Sequence, residues 1–302
     1  MNVTLLLRVL IILSALIFVV FMVKDCYEHR EEIEKGHGIL FAIAGFILCF
    51  FDTFGIGNMA TSMAFFRLTK TARDDQLSGT GNVAFCVTTI SEFVIFVGLV
   101  KVDSITLVSM IISAIIGSLI GANIVTRWSE QTVRKVLGVA LLAVAAIMVM
   151  KSMSLGPFNG MGTALGLRGW RLAVGIIGIF FLGALQTMGI GMFATTFALV
   201  SCLGMDVSAA FPIMMGACGF VMPWCSIKFV KEGKYQRKAS LIMTVTGIAG
   251  VAFAAFVVKS MSTTMLMWAV VVVLIYTACT FFKQIRAAKR EQEQITTLAK
   301  EE

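Results

Sequence analysis

The chain has 302 residues, of which 58% are hydrophobic and 14% charged, against about 25% charged in an ordinary soluble domain. The charges are clustered, and between the clusters lie apolar runs of about 18 residues or more, the length that spans a bilayer. A soluble globular fold is thereby excluded, and the net charge of +8, spread over many short loops, fits a positive-inside bias rather than a nucleic-acid surface.

In chain order, residues 1–36 form an extra N-terminal span (residues 5–23) and a polar loop. The run is longer than most signal-peptide cores and VVFMVKDC offers no small-residue cleavage site, so the span is expected to be retained. Residues 37–150 form a first transmembrane repeat. It opens with a short apolar piece (38–51), a break at Gly55-Ile56-Gly57 and a second short piece (58–66). A polar loop carrying Arg67, Lys70, Arg73, Asp74 and Asp75 follows, and then three full spans at 79–100, 104–126 and 133–150. Residues 151–170, rich in Gly and Ser and containing Pro157, form the linker between halves. Residues 171–283 repeat the order: pieces 172–185 and 192–203 flank a break at Gly189-Ile190-Gly191, and spans follow at about 209–230, 239–258 and 263–282. Residues 284–302 are a charged tail of helical composition.

The two breaks are copies. FDTFGIGNMATSMA (residues 51–64) and LQTMGIGMFATTFA (185–198) align without a gap and share seven of fourteen residues. Beyond them the register shifts by one residue, pairing Gly81 with Gly216, Phe85 with Phe220, Ser91 with Ser226 and Gly98 with Gly233. Paired Gly-interrupted hydrophobic segments in corresponding positions of two halves point to the binding site of a secondary transporter. The fold class expected is an all-α polytopic membrane protein. It has two homologous halves, inverted repeats with glycine-broken helices, and about nine spans.

Inversion is favoured by the loop charges. The loop near residue 230 carries Lys228, Lys231, Lys234, Arg237 and Lys238, whereas its counterpart holds only Lys101. Conversely, Arg127, Arg134 and Lys135 face a counterpart with only Lys259. Homologous loops with exchanged charge are what inverted halves produce, and the positive-inside rule then sets the basic tail in the cytoplasm.

A helix that starts inside the membrane has unpartnered N–H groups and about half a positive charge at that end. Two such starts make an anion site. Its expected residues are Gly55, Gly57, Asn58, Thr61, Gly189, Gly191 and Thr195, with Asn82 as further polar lining. Ionisable residues within spans are candidates for coupling or charge. Glu92 lies well inside a span and is the first choice for carrying a coupling proton. Asp52 precedes the first break, where its repeat equivalent is Gln186, and is expected to orient the unwound backbone. Lys228 offers positive charge but lies near a span end, from which it can snorkel. The Gly117–Gly121 GxxxG spacing reads as helix packing. Cys49, Cys86, Cys202, Cys218, Cys225 and Cys279 sit in apolar stretches, where cysteine behaves as a small hydrophobe. No metal site, cofactor or disulfide framework is expected.

Two similar halves, glycine-rich breaks, the turns GLVKVDS and GKYQRKAS and a GxxxG span resemble the TauE/SafE sulfite-exporter family. The run FPIMMGACGFVMPWCSIKFVKEGKYQRKAS is the most characteristic stretch, and the likeness covers residues 38–283. It departs from the family pattern in lacking a proline within ten residues after either break. The resemblance implies a transporter of small anions such as sulfite, organosulfonates or other sulfur-containing metabolites. The expected protein is therefore a multi-pass carrier of a bacterial-type cell membrane, with an anion and the bilayer as its partners and homo-oligomerisation left open. An anion channel or a membrane assembly subunit that moves nothing are the alternatives. HExxH, GxSxG and paired aspartates on adjacent spans are absent, so an enzyme is not expected.

Overall fold

The structure, a computed structural model, describes residues 3–33, 36–121, 129–153, 162–186 and 191–301. Among these the regular elements are helices, apart from one isolated parallel bridge between Ala164 and Met205. The principal helices are α1 (Val3–Glu28), α2 (Gly38–Thr53), α3 (Asn58–Thr69), α4 (Leu77–Leu99) and α5 (Ser104–Ile116), which runs on into a π-turn at Gly117–Gly121. They continue as α6 (Glu130–Ser152), α7 (Gly169–Gln186), α8 (Met192–Cys202), α9 (Ala210–Lys231), α10 (Arg237–Ser260) and α11 (Thr263–Glu301). Seven of them contain stretches long and apolar enough to cross a membrane: α1, α4, α6, α7, α9, α10 and α11. The protein is an all-helical polytopic membrane protein. Many large apolar side chains of α1, α6 and α10 point outward, as a lipid solvent permits.

The first break is built by its glycines. After α2, the Gly55 N–H donates to the Asp52 carbonyl at 2.7 Å and the Ile56 N–H to the Phe51 carbonyl at 3.3 Å. This is the Schellman pattern, which satisfies the carbonyls left over at a helix end. Gly55 takes φ +96° and Gly57 φ +85°, angles that an L side chain resists. The chain then reverses: Phe66, near the end of α3, meets Phe41, near the start of α2, with ring centroids 6.3 Å apart.

Helices α4 and α9, which the sequence register pairs, cross in opposite directions. Ser226, late in α9, donates to the carbonyl of Asn82, early in α4. At the other end Phe96 stacks on Phe211 with centroids 4.7 Å apart. Two other pairs run side by side in the same direction. Along α2 and α10, Gly38 faces Ile242, Gly45 faces Met243 and Gly250 lies on the Phe46 carbonyl. Along α5 and α7, Ser113 donates to the Ile176 carbonyl at 2.7 Å and Gly117 lies on the Phe180 carbonyl. Gly117 therefore does pack helices, as the spacing suggested.

The helix ends gather at two poles. At one, the Gln236 N–H donates to Thr80 Oγ1 at 2.9 Å, and the α1 residue Asp25 accepts from Tyr235 Oη at 2.6 Å and Arg237 Nε at 2.8 Å. At the other, the end of the inter-repeat linker crosses the start of α5. The Asp103 carboxylate caps α5 at the Thr106 N–H and takes two 2.7 Å bonds from the Arg168 guanidinium.

Candidate functional site

The break between α2 and α3 carries a polar cluster into the apolar core. Asp52, in the last turn of α2, is 2% exposed. Its Oδ1 accepts the Asn58 backbone N–H at 2.9 Å and its Oδ2 the Asn58 side-chain amide at 2.6 Å. A carboxylate at the positive end of a helix is the expected electrostatic match. Its neighbour Thr53 donates its hydroxyl to the Cys49 carbonyl at 3.0 Å and to Glu92 Oε1 of α4 at 2.8 Å. Glu92 is 0% exposed, and its Oε2 has no hydrogen-bond partner among the described residues. Thr53 thereby joins Glu92 of α4 to the residue next to Asp52 in the chain.

The second half reaches the same place. Gln186, ending α7, donates its amide to Cys218 Sγ of α9 at 3.2 Å. Phe197 of α8 packs on Gly55 so closely that an added methyl group would stand 2.9 Å from its ring. The first break thus packs on the helix that follows the second.

The expected site residues are treated unequally. Gly55, Gly57, Asn58, Asp52 and Glu92 belong to one constellation. Gly189 lies outside the described residues. Gly191 caps α8 with φ −57°, a value open to any residue, so its backbone differs from that of Gly57. The Thr61 hydroxyl donates to the Gly57 and Asn58 carbonyls at 2.9 and 3.1 Å. Thr195 does the same to Gly191 and Met192 at 3.2 and 3.0 Å. Both hydroxyl hydrogens therefore serve their own helix starts, not the gap between them. Asn82 donates to the Ser78 carbonyl, and ten positions along α4 set it roughly 15 Å from Glu92. Lys228 is exposed near the end of α9, as a snorkelling lysine would be.

Sequence reasoning passed over Thr53 and Cys218. The signal for Thr53 was present, because it is one of the residues the two breaks share. Cys218 carried none, since its role comes from facing Gln186 across the bundle. Among the described residues no group of three or more His, Cys, Asp or Glu is arranged to hold a metal.

Spanning helices with a glycine break copied in the sequence, and buried carboxylates beside the first break, have the architecture of a membrane transporter. The comparison with protein families agrees. The family model described as Sulfite exporter TauE/SafE matches residues 1–148 and 171–300, and the chain belongs to that family of anion-exporting membrane transporters, which are not enzymes. The match takes in α1 and most of the tail, beyond the stretch covered by the motifs, and leaves out residues 149–170. No curated protein and no solved structure matches the chain.

Proposed function

We propose that the protein is a secondary carrier for a small sulfur-containing anion, sulfite or an organosulfonate, bound where the two glycine-broken segments meet. The observation that carries this reading is the contact of Gly55 with Phe197, which brings the first break against the helix that follows the second. The starts of α3 and α8 then offer N–H groups and two positive helix ends to one anion. Gly55, Gly57, Asn58 and Gly191 shape this site; Thr61 and Thr195 hold the helix starts in form.

The halves, residues 37–150 and 171–283, are read as inverted repeats, each a re-entrant hairpin followed by three full spans. With α1 that makes about nine membrane segments, the termini on opposite faces and the tail in the cytoplasm. The antiparallel crossing of α4 and α9 supports this reading, as does the return of α3 to the start of α2. With Asp52 and Glu92 sealed from water, transport requires one hairpin-bearing unit to move against the rest. Glu92 carries the coupling proton, a role supported by its burial and its unpartnered Oε2.

The test is a binding screen of purified protein against sulfite, sulfate, thiosulfate, taurine and sulfoacetate, with simple carboxylates as controls. Saturable binding of a sulfur oxyanion that carboxylates do not displace is expected. Binding of none of them would overturn the reading.

A further inference from the structure

The start of α3 is already occupied by an anion of the protein's own. The first N–H of that helix and the Asn58 side-chain amide both point at the Asp52 carboxylate. These are the donors that a helix start offers to a bound oxyanion. The Schellman turn at Gly55 and the positive φ at Gly57 fold the chain back so that Asp52 reaches across the break to cap a helix six residues on. The second break differs: Gln186 stands in the matching position, carries no charge and turns its amide to Cys218.

An independent observation points to something further binding here. Glu92 is fully buried and its Oε2 has no partner among the described residues, although Thr53 ties its other oxygen down beside Asp52. A buried acceptor left unmet is costly unless a ligand or a proton completes it.

We infer that Asp52 is a tethered competitor for the transported anion, holding the α3 donors until a proton from solution releases it, so that one proton is bound with each anion. This rests on the carrier reading above and deepens it. If an incoming anion takes the Asn58 donors while Asp52 and Glu92 both keep their charge, three negative groups share an apolar core. The ionisable side chains near the pair are the thiols of Cys49 on α2 and Cys218 on α9. Among the described residues α3, α4, α8, α10 and α11 bring no Lys, Arg or His to it. Among the described residues no cationic side chain balances that charge, and two partial helix-end charges fall short of three anions. Binding therefore proceeds as the displaced carboxylate takes up a proton. The new O–H then has an acceptor in Glu92 Oε2, and the proton is held between the two residues.

The experiment measures binding of ethanesulfonate, whose charge is constant across the range, to purified full-length protein between pH 5 and 8, with sulfite as a second probe. Wild-type affinity for ethanesulfonate should fall about tenfold per pH unit toward high pH, the slope for one linked proton. Asp52→Asn keeps an oxygen to cap the Asn58 N–H but removes the charge. It should bind about tenfold or more tightly at the alkaline end, with a flat pH profile. In weakly buffered solution the wild type should take up one proton for each ethanesulfonate bound, a readout that holds even if the variant does not fold. A wild type that binds without taking up a proton, or an Asp52→Asn protein with the wild-type slope, would overturn the inference and leave the carrier reading standing. A wild type that binds neither probe at any pH sinks both.

Discussion

The Ser226 hydroxyl of α9 donates to the Asn82 carbonyl of α4 at 2.9 Å, and this bond joins two helices that run in opposite directions and that the sequence register pairs. Phe93 meets Phe220 farther along at 6.1 Å, and Phe96 meets Phe211 at the far end. The two helices therefore cross along paired phenylalanines, and Glu92 of the Asp52–Glu92 cluster precedes Phe93 at that crossing.

The proposed topology makes a direct prediction. Thr163, at the end of the linker, lies beside Ala164, which bonds into the α8–α9 loop at the pole opposite Tyr235 and Arg237. A cysteine placed at residue 163 should react with an impermeant thiol reagent added from outside intact cells. Labelling only from the cytoplasm would overturn the proposed orientation, placing this pole inside and the basic α9–α10 loop outside.

Glu92→Gln imitates a protonated carboxyl at nearly constant volume. It should keep anion binding within about threefold, since Thr53 can still donate to the amide oxygen, yet abolish accumulation driven by a pH gradient in proteoliposomes. Driven transport at the wild-type rate would leave Glu92 a structural role alone.

The two breaks should respond differently to substitution. Gly57 has φ +85° with open space around its would-be Cβ, so Gly57→Val is strained by backbone angle alone, at about 1–3 kcal/mol. Gly191, with φ −57° and equally open space, should accept alanine. We expect Gly57→Val to lose anion affinity at least about tenfold while the detergent-extracted protein stays monodisperse. Gly191→Ala should fall within about twofold of wild type. The contrast is Gly117→Ala, whose methyl group would collide with the Phe180 carbonyl and destabilise by about 1–3 kcal/mol, lowering the melting temperature more than the affinity. Equal loss of fold and binding in Gly57→Val would mean that the glycine serves packing.

The pole at Asp103 should show a defined pH response. The Arg168 guanidinium, helped by the Thr106 N–H, holds the Asp103 carboxyl well below the usual carboxylate range. A lowered folded value means that the stabilisation is present above about pH 4 and fades only as pH falls through the lower folded value. Asp103→Asn should therefore lower the melting temperature by a few degrees at neutral pH, and the gap should close in strong acid. A gap unchanged down to the acid limit would show that the ion pair contributes nothing. Both groups are accessible to water, so high salt should also narrow it.

Much of this protein was legible without coordinates. Apolar run length identified most of the seven helices long enough to span, because a bilayer core has a set thickness. The expected span 104–126, by contrast, is described only as the shorter helix Ser104–Ile116 and the π-turn to Gly121. The duplicated FDTFGIGN and LQTMGIGM located the breaks because two glycines in an apolar run have few other uses, and Glu92 stood out because a carboxylate in a span is expensive. The partners of these groups were another matter. That Asp52 turns back to cap α3, that Thr53 ties Glu92, and that Gln186 answers Asp52 with a thiol and not a helix start all depend on residues distant in sequence meeting across the bundle. The equal sequences around Gly57 and Gly191 likewise hid unequal backbone angles. Local sequence states which groups are short of partners in an apolar medium. Only the packing of α2, α4, α7 and α9 decides which partners they find, because hydrogen bonds reach about 3 Å and pattern along a chain carries no such distance.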